Sequence, residues 1–357
     1  MDMEKRTLRR EIAIYLTELI EKNGGIPNYK LPSESVLRKQ FGVSNIPVRS
    51  AYASLIERGL VINWHGKGYF IKDALYKNTP PGLKNICFIT PGVQALFMRR
   101  VIDGIKDFCE ANMLNLSILV NDQNAKKERI FLQSLKQSGF RGVIIYPVDN
   151  EFYNEELLKL SLKRFPVVIV DRNLKGVNIS YVAMDNYKAM VDAVKFLHNK
   201  KYKNIVYVTP PPIATSIEER LNGFNHGLFK YYGTANAANV LKIKPDNYPD
   251  IRQSLVKYLK TYPDTEIVIV TGAQATAALQ AAADLNIPVP KKLRLMIIDN
   301  ELSDTEKAIV QPYILYMDGY EMGYKAVSVL YNQIYGETRV VSEKLSSKLI
   351  DCSAAKA

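Results

Sequence analysis

Polar side chains follow several apolar, strand-like runs in the C-terminal three quarters of the chain. They stand where each run ends, at Thr90, Tyr146, Asp171, Arg172, Asp185, Asn186, Thr209, Thr271, Asp299 and Asn300. In open α/β sheets, ligands bind at the carboxyl ends of the strands. Carboxylates, hydroxyls and a guanidinium gathered there favour a small polar ligand. Each residue alone is also typical of a turn or a helix cap.

A second group of residues, near the N-terminus, is suited to nucleic acid. Arg49 lies one turn into a predicted helix, and His65, Gly66 and Lys67 lie in a predicted hairpin turn. A helix that enters the major groove reads bases with its N-terminal residues, and a basic hairpin can reach an adjacent groove. We expect Arg49 and Lys67 to contact DNA, and Trp64 to anchor the hairpin.

Residues 1–72 supply the elements that must position this second group. The first segment has the apolar spacing of a helix, at Ile12, Leu16, Leu19 and Ile20. Ser33 is expected to cap a short second helix that ends near Phe41. A third helix is expected over about 45–58, with Pro47 in its first turn, where the missing N–H does no harm. Two strand-like runs, 60–62 and 69–71, complete a winged helix-turn-helix.

A Pro-Pro pair marks residues 73–84 as a semi-rigid linker. Residues 85–350 then alternate short β-branched runs with amphipathic stretches, which predicts parallel sheets with helices on both faces. Strands are predicted at 86–90, 116–120, 142–146, 167–170, 204–208, 240–243, 267–270 and 295–298. Helices are predicted at 101–112, 127–138, 187–199, 218–231 and 273–284. This number of units suits either one barrel or two doubly wound lobes.

Composition narrows the class of protein. With 357 residues, 47% of them hydrophobic and 24% charged, the chain is typical of a globular protein of two or three domains. No apolar run approaches the roughly 20 residues that span a bilayer, and no signal-like core follows the charged N-terminus, so we expect a cytoplasmic location. The formal net charge is +12, and residues 1–77 hold about two fifths of that excess. A polyanionic partner is therefore indicated.

The sequence predicts neither a metal site nor an enzyme. Three scattered cysteines and three histidines lack the spacing of zinc ligands or of a disulfide framework. Motifs for nucleotide phosphates, serine hydrolysis and zinc proteases are missing, and no cofactor is predicted. The Gly319-x-x-x-Gly323 spacing is read as close helix packing.

The N-terminal segment resembles the DNA-binding domain of GntR-type regulators. The resemblance rests on Leu31-Pro32-Ser33-Glu34, Leu37, Phe41-Gly42-Val43-Ser44, Pro47-Val48-Arg49, Tyr52, Leu55, Gly59-Leu60-Val61 and Gly66-Lys67-Gly68-Tyr69-Phe70. It implies double-stranded operator DNA as a partner. The candidate DNA-binding residues are Ser33, Glu34, Ser44, Asn45, Pro47, Arg49, His65, Gly66 and Lys67. Ser35 stands where many relatives have arginine, and Asn45 and Ile46 stand where many have arginine or threonine, so a different operator is expected.

The C-terminal segment resembles the sensor domain of LacI/GalR-type repressors, which has the periplasmic-binding-protein type I fold. The resemblance rests on Val170-Asp171-Arg172, Val182-x-Met184-Asp185-Asn186, Phe196-Leu197, Lys203-Asn204-Ile205, Arg220-x-x-Gly223-Phe224, Ile298-Asp299-Asn300 and Gly323-Tyr324-Lys325-Ala326. The combination with a GntR-type domain resembles the arabinose-repressor group. It implies a first lobe of roughly 85–185 plus 305–325, with the rest in the second.

The resemblance implies that Arg220 and Asp299 bind a sugar. The full candidate set is Thr90, Phe97, Tyr146, Asp171, Arg172, Thr209, Arg220, Gln274, Asp299 and Tyr316. In this set the aromatic residues form an apolar wall or pack the lobes. Gln274 stands where relatives usually carry an acidic pair, so the ligand can differ from theirs.

These features predict a ligand-responsive regulator of α/β class, a repressor of carbohydrate-utilisation genes that is released by a sugar or sugar phosphate. A homodimer is expected, because paired half-sites need two DNA-binding domains. The alternatives are a regulator that senses a non-sugar molecule such as a nucleoside, a sugar-processing enzyme with an added DNA-binding domain, and a sugar-transport protein.

Overall fold

The computed structural model describes residues 2–23, 29–57, 60–64, 66–71, 84–135, 137–149, 155–174, 176–234, 236, 239–243, 248–299, 302–335 and 337–353. It divides into two compact units. The first unit comprises Met1–Asn85 with the short segments Met113–Asn115 and Lys136–Phe140, and the second comprises the remainder. His65, Asn300 and all of the predicted linker except Lys84 lie outside the described residues.

The first unit contains three helices and a hairpin, as the sequence predicts. These are α1 (Asp2–Asn23), α2 (Glu34–Phe41), α3 (Asn45–Glu57), β1 (Val61–Trp64) and β2 (Gly68–Ile71). The two strands pair antiparallel, with Val61 opposite Ile71. The segment before α2 adds to the outer edge of β2, where the Leu31 N–H donates to the Tyr69 carbonyl at 2.9 Å.

Local sequence explains where these helices begin and end. The Ser33 hydroxyl accepts from the Val36 N–H and caps α2. Gly42 ends α2 in the left-handed conformation, with φ of 63°. The apolar faces then form one core, which includes Ile12, Leu16, Leu37, Val48, Ala51, Tyr52, Leu55 and Val61.

The second unit contains two six-stranded sheets and nine helices among its described residues. The helices are α4 (Leu96–Ala111), α5 (Ala125–Ser134), α6 (Glu155–Leu162), α7 (Asn186–Asn199), α8 (Thr215–Tyr232), α9 (Tyr248–Thr261), α10 (Gly272–Asp284), α11 (Asp304–Val310) and α12 (Gly319–Ile334). The strands are β3 (Lys84–Thr90), β4 (Leu114–Val120), β5 (Gly142–Ile145), β6 (Val167–Val170), β7 (Ser180–Met184), β8 (Ile205–Thr209), β9 (Val240–Lys242), β10 (Ile267–Thr271), β11 (Arg294–Ile298), β12 (Tyr313–Tyr316), β13 (Ser342–Leu345) and β14 (Lys348–Asp351).

Two lobes, and not a barrel, follow from the strand order. The first sheet runs β13-β7-β6-β5-β3-β4 and the second β14-β12-β11-β10-β8-β9. The central strands of each sheet are parallel and buried, which explains why they consist mainly of Val and Ile. β14 runs antiparallel to β12 at the edge of the second sheet. The second unit is therefore a doubly wound α/β domain of two lobes.

The expected composition of the first lobe is wrong in its C-terminal part. Strand β12 pairs with β11 and belongs to the second sheet, so residues 304–316 are not in the first lobe. The chain returns to the first lobe only at α12, the element after β12, because α12 packs on α4 and on the central strands of the first sheet. Strand β13 pairs with β7 and extends the first lobe to Leu345. The chain therefore crosses between the lobes three times: after β7, between β12 and α12, and between β13 and β14.

Glycine brings one helix pair of each lobe into close contact. A Cβ atom at Gly323 of α12 would lie 2.0 Å from the Val101 carbonyl oxygen of α4. In the second lobe, a Cβ atom at Gly223 of α8 would lie 2.2 Å from the Tyr187 carbonyl oxygen of α7. The interpretation of the Gly319-x-x-x-Gly323 spacing as close helix packing is confirmed.

Candidate DNA-contacting surface and ligand cleft

The first turn of α3 and the turn of the hairpin expose the polar residues that the sequence singles out in the first unit. Ser33, Ser44, Asn45, Gly66 and Lys67 are exposed, and the Arg49 side chain is 67% exposed. Pro47, another candidate, is buried and so is not part of the exposed surface. Lys67 lies over the ring of Trp64, whose own ring packs on Phe70 at 4.5 Å.

Glu34 links α2, α3 and β2 through two hydrogen bonds. Its carboxylate accepts from Arg49 Nε at 2.9 Å and from the Tyr69 hydroxyl at 2.8 Å. Tyr69 in turn stacks flat on Tyr52, with ring centroids 3.7 Å apart. The hydrogen bond from Arg49 is the main cause that lowers the pKa of Glu34, so the carboxylate stays charged. Arg49 is therefore paired through its Nε with a charged carboxylate.

In the second unit, a cavity of 240 Å³ lies where the carboxyl ends of the two sheets face each other. It is lined by Phe97, Tyr146, Asp171, Arg172, Tyr207, Thr209, Pro210, Ser216, Ile217, Arg220, Ile251, Thr271, Gln274 and Asp299. Eight of the ten candidate ligand-binding residues are brought together here. Thr90 and Tyr316 are not among them.

The first-lobe wall of the cavity is built on one arginine. The Arg172 guanidinium lies 4.6 Å from the centre of the Tyr146 ring and donates to the Pro147 carbonyl at 2.9 Å. It also forms an ion pair with Asp149 at 2.5 Å. The Tyr146 hydroxyl donates to Asp171 Oδ2 at 2.9 Å. Burial would lower the Arg172 pKa, but Tyr146, Asp149 and Asp171 outweigh it, so the group stays charged.

The second-lobe wall is built on Arg220. Its Nε donates to Asn186 Oδ1 at 2.7 Å, and one terminal nitrogen contacts the Met317 sulfur at 3.4 Å. Asn186 is itself fully buried and donates to the Met184 carbonyl. Burial opposes the charge of Arg220, but the nearby carboxylates of Asp299 and Asp171 raise its pKa. Arg220 is thus a fixed, charged donor.

Asp171 and Asp299 occupy equivalent positions in the two lobes. Each directly follows a buried strand and has positive φ, 64° and 58° respectively. The Asp171 N–H donates to Val182 of β7, and the Asp299 N–H donates to Leu315 of β12. The left-handed backbone turns each carboxylate out of the sheet and into the cleft. Both aspartates line the cavity from opposite sheets.

The remaining candidates have structural partners. The Thr90 hydroxyl is buried and donates to the Gly92 carbonyl. Tyr316 accepts from Arg100 at 3.1 Å. Gln274 lines the cavity, and its side-chain oxygen also accepts from the Thr271 N–H in a capping box. The Thr209 hydroxyl donates to the Pro210 carbonyl at 3.2 Å.

Six lining residues lie outside the candidate set, and of these only Thr271 is expected at a strand end: Tyr207, Pro210, Ser216, Ile217, Ile251 and Thr271. Tyr207 lies inside a strand, and Ile251 inside a helix, so neither stands at a strand end. Ser216 and Ile217 belong to the first turn of α8, where the preceding proline run was the available signal. The pairing of Asn186 with Arg220 was also missed, although Asn186 was noted as a residue at a strand end.

Among the described helices, none has the length and apolar character that crossing a membrane requires. Within the described residues, no three His, Cys, Asp or Glu side chains are grouped to hold a metal ion. Cys87 and Cys109 are free and buried, and burial is the main cause that raises the pKa of Cys109 to about 12.

Two family profiles match the chain. One, described as "Periplasmic binding protein domain", covers residues 86–338, and the other, described as "Bacterial regulatory proteins, gntR family", covers residues 8–71. An arabinose metabolism transcriptional repressor of Halalkalibacterium halodurans is 25% identical over 51% of this chain and 50% of its own. The xylose operon regulatory protein of Escherichia coli K12 is 26% identical over 65% of this chain and 59% of its own. Both are named as transcription regulators, not as enzymes.

One solved structure extends the likeness to most of the chain. It is a transcriptional regulator, CelR, in complex with cellobiose, with a TM-score of 0.66 and 18% identity over 88% of this chain and 93% of that chain. At this identity the likeness concerns the fold. The chain spans about half to three fifths of the length of the curated relatives it matches. The chain belongs to the periplasmic binding protein domain family and carries, at its N-terminus, the DNA-binding domain of the gntR family of bacterial regulatory proteins.

Proposed function

We propose that this protein is a ligand-responsive repressor of carbohydrate-utilisation genes. Its first unit binds operator DNA, and a sugar or sugar phosphate binds in the cleft between the lobes of the second unit. The observation that carries the proposal is the combination, in one chain, of the gntR-type unit with a cleft in which Arg220, Asp171 and Asp299 converge. DNA as the partner makes the cytoplasm its place of action.

The DNA-binding part rests on the surface around Arg49. The guanidinium is exposed, charged and held by Glu34, while Asn45 and Lys67 are exposed in the α3 turn and the hairpin. A guanidinium of this kind binds a guanine through two hydrogen bonds or binds a phosphate. The protein acts as a symmetric dimer on a near-palindromic site, because two such units are needed for two half-sites.

The effector part rests on donors and acceptors that both lobes offer to one cavity. A ligand that bridges the lobes stabilises their closed arrangement and changes the spacing of the two DNA-binding units in the dimer. Coupling of about 1–3 kcal/mol corresponds to roughly a 5- to 150-fold change in operator affinity. We propose that ligand binding lowers operator affinity, so that the ligand releases the protein from DNA.

The test begins with selection of bound fragments from the source genome by the purified protein, followed by affinity measurements with and without sugars. The panel holds L-arabinose, D-xylose, D-ribose and cellobiose. A sugar at 100 times its Kd also raises stability by about 2.7 kcal/mol, which thermal unfolding detects. We expect one sugar to raise the Tm and to weaken operator binding.

Two variants separate the two halves of the proposal. Arg49→Ala should weaken operator binding by about 1–3 kcal/mol if it reads a guanine. If it binds a phosphate, the slope of log affinity against log salt concentration should fall by about one unit. Sugar binding should be unchanged in either case. Arg220→Ala should abolish the sugar response while DNA binding is unchanged. Lys106→Ala, at an exposed ion pair with Glu110 in α4 and outside the residues that line the cleft, is the control. A protein that selects no DNA fragment would refute the regulator, and a nucleoside as the only stabilising ligand would refute the sugar effector.

A further inference from the structure

A second cavity lies in the first lobe, at the end opposite to the ligand cleft. Strand β6 joins the two sites, because its first residue, Val167, lines this cavity and Asp171, directly after its last residue, lines the cleft. Four steps of about 3.3 Å along a strand place roughly 13 Å between them. The volume of the cavity is 510 Å³, within the roughly 300–1,000 Å³ of small-molecule pockets. It is therefore a separate site with room for a small metabolite.

Hydrogen bonds fix the floor of this cavity at the amino ends of β6, β7 and β13. Gln333 of α12 accepts from the Val167 N–H at 3.0 Å through its side-chain oxygen. Its side-chain nitrogen donates to Ser180 Oγ, the first residue of β7, at 2.8 Å. The same Ser180 oxygen accepts from the Val341 N–H, just before β13, at 3.0 Å. The floor therefore has a fixed geometry before a ligand binds.

The Ser180 hydroxyl is left with a proton to donate. A hydroxyl has two acceptor sites and one donor, and both acceptor sites of Ser180 are used by Gln333 and Val341. Ser180 is only 1% exposed, and no group among the described residues accepts its proton. A buried donor without an acceptor costs free energy. The floor of the cavity therefore favours a ligand that brings an acceptor oxygen.

Two arginines give the cavity a positive charge. Arg164, after α6, and Arg339, before β13, line it and are exposed. Neither forms an ion pair with any residue in the described part of the chain. The lining also includes one carboxylate, Glu337, so two positive charges against one negative leave a net charge of +1. In the cleft, by contrast, Arg172 is already paired with Asp149.

We propose that this cavity binds a phosphate monoester of a small metabolite, with Arg164 and Arg339 bound to the phosphate and the Ser180 hydroxyl donating to a ligand oxygen. A phosphate carries about −1.5 to −2 charges at neutral pH and three acceptor oxygens. Arginine binds such a group through paired N–H···O bonds, so two arginines match it better than a single carboxylate. The site goes beyond the proposed function, because it lies outside the cleft and does not depend on a sugar bound there.

Calorimetry on the full chain tests this site. The probes are glycerol 3-phosphate, D-glucose 6-phosphate and adenosine 5′-monophosphate, each beside its parent without phosphate, with citrate as a carboxylate probe. We expect at least one ester to bind more tightly than its parent and than citrate. That ester should bind equally well to Arg220→Ala, in which the cleft is impaired.

Three matched variants locate the phosphate. Arg164→Gln and Arg339→Gln each remove one charge at an exposed position, and each should weaken binding of the ester by about 10-fold or more. Arg129→Gln changes an exposed arginine of the same lobe, on α5 and outside the cavity, and should leave the affinity unchanged. An unchanged Tm in the absence of ligand shows that each variant is folded.

The outcomes separate this proposal from the proposed function. The proposal is refuted if none of the esters binds, or if Arg220→Ala abolishes binding while both arginine variants of the cavity retain it. Citrate that binds more tightly than every ester would show that the cavity takes carboxylates and would overturn the phosphate assignment. A sugar-responsive regulator stands in all of these cases, because its own tests rest on Arg49 and Arg220. A protein that selects no DNA fragment, in turn, leaves the phosphate site intact.

Discussion

At the scale of single residues, the Glu34 carboxylate accepts hydrogen bonds from two side chains of the first unit, Arg49 and Tyr69. Glu34 connects the helix that carries Arg49 with the strand that carries Tyr69. Burial and the hydrogen bond to Glu34 raise the pKa of Tyr69 to about 12, and burial is the main cause that raises the pKa of Tyr52. Both neutral phenols are therefore favoured in the folded unit.

The raised pKa of Tyr69 favours folding only up to moderately alkaline pH. In the unfolded chain a tyrosine releases its proton near pH 10, whereas Tyr69 releases it near 12 when folded. The stabilisation is complete below pH 10 and is lost as the pH rises towards 12. We expect Tyr69→Phe to make the decline of unfolding free energy over this range less steep. Fluorescence of Trp64, the single tryptophan, reports unfolding of the first unit.

Tyr324→Phe, in the second unit, is the control for this measurement and should leave the slope unchanged. An identical slope for wild type and Tyr69→Phe would show that the phenol of Tyr69 titrates as it does in the unfolded chain.

At the scale of elements, the helix pair α4–α12 depends on a missing side chain. The backbone of α4 lies against Gly323 so closely that a methyl group would overlap the Val101 carbonyl oxygen. The atoms it would meet belong to the backbone, so they cannot turn aside as the end of a side chain can.

Gly323→Ala should therefore destabilise the second unit, even though alanine favours helix formation. Overpacking of this kind costs about 1–3 kcal/mol, and we expect the upper part of that range. Urea unfolding followed by circular dichroism measures it. Gly92→Ala is the matched control, because a Cβ atom there meets nothing within 4 Å, and its effect should stay within about 0.5 kcal/mol. Equal stability of the two variants would refute the close contact.

Sequence reasoning found the elements whose pattern is strong and missed those that depend on distant partners. The buried strands β5 and β6 are apolar throughout, so their identity is local. Strands β13 and β14 are short, half exposed and rich in charge, and only their neighbours make them strands. The lobe to which α12 belongs is likewise decided by α4, more than 200 residues earlier.

The candidate cleft shows the same division. Asp171 and Asp299 could be found because each ends an apolar run. The hydrogen bond between Gln274 and the Thr271 N–H could also have been predicted, since Thr271-x-x-Gln274 has the spacing of a capping box. Asn186 as the partner of Arg220 could not, because the two are joined only by the packing of α7 on α8.

At the scale of the whole sensor, polar contacts tie the two lobes together beside the cleft. The Thr215 hydroxyl of the second lobe donates to the Asn173 carbonyl and accepts from its N–H, both at 3.1 Å. Lys344 of β13 pairs with Glu219 of α8 at 2.8 Å. These contacts hold the lobes in the arrangement in which the cavity exists.

Reversing one charge of the Lys344–Glu219 pair should therefore weaken ligand binding without touching the cleft. Lys344→Glu places like charges between the lobes, and we expect a roughly 3- to 10-fold loss of sugar affinity at low salt that shrinks at high salt. The double variant with Glu219→Lys should recover the affinity. Calorimetry at two salt concentrations measures this, and an affinity that ignores the single reversal would show that the pair does not hold the lobes.

The three crossings between the lobes have a consequence for synthesis of the protein. The first lobe begins at β3, but its helix α12 and its edge strand β13 are translated only after almost all of the second lobe. While the ribosome makes residues 186–318, the apolar faces of β5, β6 and β7 lack the helix that covers them. The first lobe therefore cannot reach its native core during translation until the last elements emerge, and a prematurely ended chain leaves both lobes incomplete.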